Sequence, residues 1–337
     1  MIINSGYQSI FILGGILMKR ITLTENLSYE EWLALRKTGI GGSDASVIMQ
    51  RSPFKSVLEL WYEKTGKMNN VSDESEAAYW GKKLEAVVRE EFTSRTGLHV
   101  YIEPYLLQHE EHVFMQANLD GFLYDTVYGP CVFEAKTASA YKASDWEFGV
   151  PEEYYAQLQH YMAVTGYKGA YIAALIGGNK FVWKFVERDE SYIKTLVQKE
   201  QTFWNLVQAE QEPPIDSKEV TAEFLAKMYP KVENTETLAL DVAEQQWIDL
   251  YYAARFDERV AKEQKELAEN NLKALLQNHG KAVLGNVEIH WPMIVSEKFD
   301  SKQLKIDEPE LYAQYAYKTS YRKFSVKESE GGNKNAE

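Results

Sequence analysis

Cys131-Val132-Phe133-Glu134-Ala135-Lys136 sets an acid and a lysine two residues apart in an otherwise apolar, strand-like run. Asp120-Gly121 lies fourteen residues upstream of Glu134 and supplies a second carboxylate. Two carboxylates and a lysine on neighbouring strands suit divalent-metal phosphodiester hydrolysis. The carboxylates are hard oxygen ligands for Mg²⁺, and the lysine can position or deprotonate the attacking water. The triplet alone is weakly specific, because Asp216-Ser217-Lys218, Glu263-Gln264-Lys265 and Asp300-Ser301-Lys302 repeat the acid-x-Lys pattern. Glu134 is set apart by its neighbours: a carboxylate among Val132, Phe133 and Ala135 is costly to bury without a partner or a metal.

Around this run the β-branched and aromatic residues predict strands at 98–103, 113–118, 119–124 and 131–137, with Tyr128-Gly129-Pro130 as a turn. Upstream, a short helix at 29–36 ends in a glycine-rich turn, and Ser43 reads as the N-cap of a helix through Gln50. Helical spacing continues over 55–64. A polar segment at 69–75 precedes a long helix on which Trp80, Leu84, Val87, Val88 and Phe92 form a core face, closed by Gly97. Glu85 falls at the margin of that face, where its carboxylate can look into a cleft. Downstream, a helix from Pro151 to about Thr165 carries Gln157 and Tyr161 four residues apart on one side. A hairpin over 167–187 and a helix over 191–210 follow, then a break at Pro213-Pro214. Beyond Asp241 a long charged helix runs to about Asn278 and suits pairing as a coiled-coil arm. Strands are expected at 282–295 and 317–326, and a disordered tail at 328–337.

Of 337 residues, 45% are hydrophobic and 26% charged, ordinary values for a globular chain. One cysteine excludes a disulfide framework, a Cys-rich zinc module and a Cys₄ iron–sulfur cluster. Cys131 reads as a small core residue, and a reducing cytoplasm fits best. The six histidines show no metal-binding spacing. A net charge of −13 argues against a surface coated in positive potential for DNA, but a cleft with its own cations and metal can still attract phosphate. The apolar run at 10–18 is too short to span a membrane and has no basic residues before it. Residues 1–18 therefore read as a dispensable extension ahead of Met18-Lys19-Arg20. The organisation expected is a catalytic domain over 19–212, an extension over 213–327 with a long helix and a β-rich tail, and the terminal 328–337.

Five features fall in one order: Arg36 with the Gly39-to-Ser43 turn, Gly81-Lys82-Lys83-Leu84-Glu85, Asp120-Gly121, Glu134-Ala135-Lys136, and Gln157-Leu158-Gln159-His160-Tyr161. This ordered set resembles the YqaJ-type viral recombinase family, whose members are similar to lambda exonuclease and belong to the PD-(D/E)XK nuclease superfamily. The likeness runs over residues 27–187, and Phe299-Asp300-Ser301-Lys302 through Tyr321-Arg322-Lys323-Phe324-Ser325-Val326 resembles the family's C-terminal signature. It implies an α/β restriction-endonuclease-like core, a central mixed sheet flanked by helices, with a helical and β C-terminal extension.

The resemblance also implies roles. Asp120 and Glu134, with the Ala135 carbonyl, would ligate metal, and Glu85 would serve a second ion or its water shell. Two Mg²⁺ ions, with Mn²⁺ as a substitute, are the implied cofactors. Lys136, its pKa lowered by the ions, would orient or deprotonate water. Gln157 would fix Lys136 or the scissile phosphate, with Tyr161 packing or hydrogen-bonding beside it. Arg36 and Ser43 match the residues that receive a 5′-terminal phosphate, although Ser43 also reads as a helix cap and Arg36 as a surface cation. The implied activity is 5′→3′ digestion of linear double-stranded DNA to 5′-mononucleotides. It would leave 3′ tails for a single-strand annealing protein, and the enzyme would be a ring trimer. The alternatives are a structure-specific or RecB-type endonuclease on the same core, and a non-catalytic DNA-binding adaptor. Tyr312, Tyr315, Tyr317, Lys318, Tyr321, Arg322 and Lys323 interleave aromatics with bases, which suits either single-strand binding or a solvated sheet edge.

Overall fold

A computed structural model describes residues 2–5, 8–13, 16–24, 27–68 and 75–327 and divides the chain into two compact units, to Met228 and from Tyr229. The expected polar segment, apart from Ser75, and the terminal 328–337 lie outside the described residues. In the first unit the elements are β1 (Ile2–Ser5), β2 (Gln8–Leu13), β3 (Ile16–Leu23), α1 (Tyr29–Arg36), α2 (Gly42–Ile48), α3 (Val57–Lys64), α4 (Glu76–Thr96) and β4 (Val100–Tyr101). They continue as β5 (Tyr105–His109), β6 (Gln116–Ala117), β7 (Gly121–Asp125), β8 (Gly129–Ala138), α5 (Glu152–Thr165), β9 (Gly169–Ile176), β10 (Lys180–Glu187), α6 (Glu190–Gln208) and α7 (Glu219–Met228).

Helices flank a central mixed sheet of order β10-β9-β8-β7-β4. Strands β8 and β9 run parallel, with Glu134 opposite Ile172, and the other pairs are antiparallel. Alternation along β8 sorts its side chains. Cys131 and Phe133 pack on Val88 and Phe92 of α4, while Val132 joins the core built with Leu158 and Met162 of α5. Glu134 follows Val132 by two residues and so falls on the α5 side. A second sheet, β1-β2-β3-β5-β6, is antiparallel.

The helix ends follow their caps. Ser28, Ser56 and Ser75 each accept a backbone N–H at the start of α1, α3 and α4. Gly97 and Gly166 close α4 and α5 at φ of 73° and 69°, a conformation open to glycine at no steric cost. Ser43 is not an N-cap as expected. Gly41 holds that position, and Asp44 two residues into α2 accepts its N–H at 2.9 Å. The core face of α4 is narrower than its spacing suggests, because only Val88 and Phe92 are buried while Trp80 and Val87 are more than half exposed. The strands expected at 98–103 and 113–118 shrink to two residues each, and β5 and α7 were not anticipated.

The second unit contains α8 (Gln245–Leu276), the antiparallel hairpin β11 (Lys281–Leu284) and β12 (Val287–His290), α9 (Ser301–Asp307) and α10 (Pro309–Tyr315). Residues 317–326 form no strand. The exposed ion pairs Arg259–Glu263, Lys262–Glu266 and Lys265–Glu269 support the polar surface of α8.

Candidate active site

The other three acid-x-Lys copies are structural. Asp300 caps α9 by accepting the N–H groups of Lys302 and Gln303. Asp216 accepts the Lys218 N–H and the Thr221 hydroxyl just before α7. Glu263 and Lys265 lie on the exposed surface of α8. Glu134 differs from all of them in being 2% exposed. One of its oxygens, Oε1, accepts from Lys136 Nζ at 2.6 Å and from Gln157 Nε2 at 2.7 Å. The other, Oε2, is buried with no hydrogen-bond partner. Gln157 also donates to the Tyr161 hydroxyl at 3.0 Å, so the expected i,i+4 pair does meet.

Asp120 stands one residue before β7, and its Oδ2 accepts the Ala135 N–H at 2.8 Å. Gly121 beside it is required by packing. A Cβ there would lie 2.6 Å from Val100 Cγ1 and 2.8 Å from the Tyr101 carbonyl, forcing β4 off the sheet. Glu85 comes from α4, close enough to Asp120 to feel its charge. Arg89, one turn further along, donates to the Asp120 carbonyl at 3.0 Å and lies 3.9 Å from Glu85. Arg89 was not singled out from the sequence, where it is one of many charged residues on an amphipathic helix.

Three acids thus share one neighbourhood with Lys136. Burial, then the charge of Asp120, pushes the Glu134 carboxyl up to about 8. The same two causes raise Glu85 to about 7, and burial raises Asp120. Burial alone would lower Lys136, but Glu134 and Asp120 outweigh it and raise its pKa. These shifts describe a site with more negative charge than its lysine can balance. Among the described residues, no three carboxylate, imidazole or thiol groups are already drawn together around one point. The donor chemistry nevertheless fits a hard divalent cation, because all three side chains offer oxygen and Glu134 Oε2 lacks any other partner.

Arg36 ends α1. Its Nη2 donates to Ser43 Oγ at 3.0 Å and to Asp44 Oδ1 at 2.8 Å, and its guanidinium lies 5.0 Å from the Trp32 ring. Asp44 is buried and also pairs with Lys64 at 2.6 Å. Lys64 Nζ donates to the Arg36 and Gly39 carbonyls at 2.6 and 2.7 Å. Burial would raise the Asp44 carboxyl, but Lys64 and Arg36 together hold it well below the usual carboxylate range. The guanidinium is therefore clamped from behind by a buried ion pair. A cap signature three residues after Gly41 marks Asp44 in the sequence, whereas Lys64 left no signal.

Arg36, Ser43, Asp120, Glu134, Gln157 and Tyr161 line one cleft of about 180 Å³. Glu85 and Lys136 are not on its wall. Lys136 meets it through Glu134, with its ammonium 5.1 Å from the Tyr154 ring centre. The close approach of α2 to α5 depends on Gly42. A Cβ there would overlap the Tyr161 ring and lie 2.9 Å from Gln157 Cγ. Gln116, another lining residue, is anchored by the buried His160, whose Nε2 lies 2.9 Å from the Gln116 carbonyl and whose Nδ1 lies 2.8 Å from Glu200.

Residues 31–168 match the YqaJ-like viral recombinase domain. The chain is 38% identical over 306 residues to the uncharacterised protein YqaJ of Bacillus subtilis (strain 168), covering 90% of this chain and 95% of that one. Among solved structures, an alkaline exonuclease of Laribacter hongkongensis is similar at 22% identity and a TM-score of 0.46, over 59% of this chain and 99% of that one. A phage-related exonuclease of Haemophilus somnus 129PT is similar at 14% identity and a TM-score of 0.36, over 53% and 99%. Among the described residues, no helix is long and apolar enough to cross a membrane.

Proposed function

The chain belongs to the YqaJ-like viral recombinase family, and on that premise we propose that it is a metal-dependent exonuclease acting at the ends of linear double-stranded DNA. The observation that carries the reading is the bare, buried Glu134 Oε2 in a cleft that also holds Arg36 and Ser43. A divalent cation bound there, Mg²⁺ or Mn²⁺, supplies a Lewis acid for the phosphate and acidifies water. Asp120, Glu134 and Glu85 provide the negative charge that holds it. Gln157 fixes Glu134 Oε1, which leaves the second oxygen free. Lys136 holds the attacking water in line, or offsets charge that builds on the phosphate.

Arg36 and Ser43 offer a guanidinium fork and a hydroxyl to a 5′-terminal phosphate. With the end held there, digestion runs 5′→3′, releases 5′-mononucleotides and exposes a 3′ strand for a single-strand annealing protein. A second ion near Glu85 and assembly as a ring trimer follow from the family likeness.

The test is degradation of 5′-phosphorylated linear duplex with Mg²⁺, stopped by a chelator. Asp120→Ala and Lys136→Ala should abolish cleavage while circular dichroism stays native. Robust Mg²⁺-dependent degradation by Lys136→Ala would overturn the assignment. Arg36→Ala should erase any preference for 5′-phosphate over 5′-hydroxyl ends, and an unchanged preference would remove that role.

A further inference from the structure

Resting on the nuclease reading, we propose that the outer face of α1 is a stacking subsite for an unpaired DNA nucleotide next to the phosphate held by Arg36. Tyr29, Trp32 and Arg36 are spaced three and four residues apart, so they share one helix face. The Tyr29 and Trp32 rings are stacked, with centroids 6.1 Å apart and planes 19° from parallel. Trp32 also carries the Arg36 guanidinium 5.0 Å from its ring. A continuous row therefore runs from an exposed phenol, through an indole, to the cation of the phosphate corner. Tyr29 is 45% exposed.

A lone exposed aromatic would mean little. Here a second groove, lined by Thr24, Ser28, Tyr29, Trp32, Lys37 and Lys82 among others, shares Thr24 and Trp32 with the catalytic cleft. Both lysines are exposed. Lys82 lies three residues before Glu85 on α4, so one groove wall belongs to the helix that bears the third carboxylate. Among the described residues, Glu30 is the one acid that lines the groove.

Two properties select the occupant. The cleft carries Arg36 and Ser43 on its wall, side by side with Asp120 and Glu134. With the phosphate held by Arg36 and Ser43, the attached base needs a surface beside them, and Trp32 faces both spaces. Aromatic faces flanked by lysines accept any base while the cations follow the backbone, but only when the base is unpaired. A frayed or overhanging strand end meets that condition, and an intact duplex does not.

The test is fluorescence anisotropy in a chelating buffer, with a labelled 5′-phosphorylated single-stranded oligonucleotide and the matching blunt duplex. Tyr29→Ala should weaken single-strand binding by about tenfold, Tyr29→Phe should restore it, and duplex binding should be unchanged. Lys82→Glu should weaken single-strand binding and flatten its salt dependence. Wild-type affinity for the single strand in both Tyr29→Ala and Lys82→Glu would overturn the subsite, as would an equal loss on duplex. Cleavage with Mg²⁺ is read separately. A wild-type protein that binds but never cuts fails as a nuclease and keeps the subsite. One that cuts, with binding indifferent to Tyr29 and Lys82, loses only the subsite.

Discussion

Glu134 gives one carboxylate oxygen to Lys136 at 2.6 Å and keeps the other buried and bare. If the bare oxygen is the one that meets a cation, Glu134→Gln should abolish Mn²⁺ binding measured by titration calorimetry. Gln157→Ala, which removes one of the two donors to Oε1 without removing charge, should cost about 10- to 100-fold in affinity. Equal affinity in all three proteins would remove Glu134 as a ligand.

Lys64 and Asp44 form a buried ion pair behind Arg36. Lys64→Met leaves the Asp44 charge short of a partner and should destabilise the fold by about 3–5 kcal/mol. The measurement is the midpoint of denaturant unfolding at constant slope. Adding Asp44→Asn to Lys64→Met should recover part of that loss. Strict additivity would show that the pair is not energetically coupled.

His160 and Glu200 give a pH dependence of definite sign. Burial alone would lower His160, but Glu200 raises it above its ordinary 6.5, and burial raises Glu200 above 4.5. Both groups hold protons more tightly folded than unfolded. Their contribution is therefore full in acid, begins to fall as pH passes the ordinary carboxylate value, and falls further as pH rises through the raised His160 pKa. Thermal melts in chelator should show the advantage of wild type over His160→Asn/Glu200→Gln shrinking from pH 5 to pH 9. An advantage that grows with pH would reverse the assignment.

Gly42→Ala should force α2 and α5 apart. Overpacking of this kind costs about 1–3 kcal/mol, so the protein should still fold, as followed by its thermal midpoint. Its rate of duplex digestion should nevertheless drop at least tenfold, because misplacement near 1 Å is that costly to a reacting geometry. Undiminished digestion by a folded Gly42→Ala protein would show that the cleft tolerates a looser fit.

Much of the candidate site was legible because its residues make unusual neighbours. An acid between Phe133 and Ala135 is rare enough to mark β8, and Gln157 and Tyr161 announce themselves by helical spacing. The ordered motifs also locate Arg36 and Ser43, which the fold brings to the same cleft as Glu134. What stayed hidden depends on distant partners. Nothing local says that Lys64 reaches back to the carbonyls of Arg36 and Gly39, or that Arg89 holds the Asp120 carbonyl. Trp80 and Val87 sit at apolar spacing but outside the narrow stripe that the sheet covers. Strand β5 escaped notice because Leu106 and Leu107 are both buried, which erases the alternation that reveals a one-sided strand.

The contact permitted by Gly42 has a geometric corollary. Arg36 is tied through Asp44 to α2, and α2 rests directly against the α5 residues that hold Glu134. The span from the Arg36 guanidinium to the Glu134 carboxylate is therefore a fixed gauge built of packed helices. For a nuclease arranged this way, the length of each fragment released is a property of the scaffold rather than of the sequence passing through it.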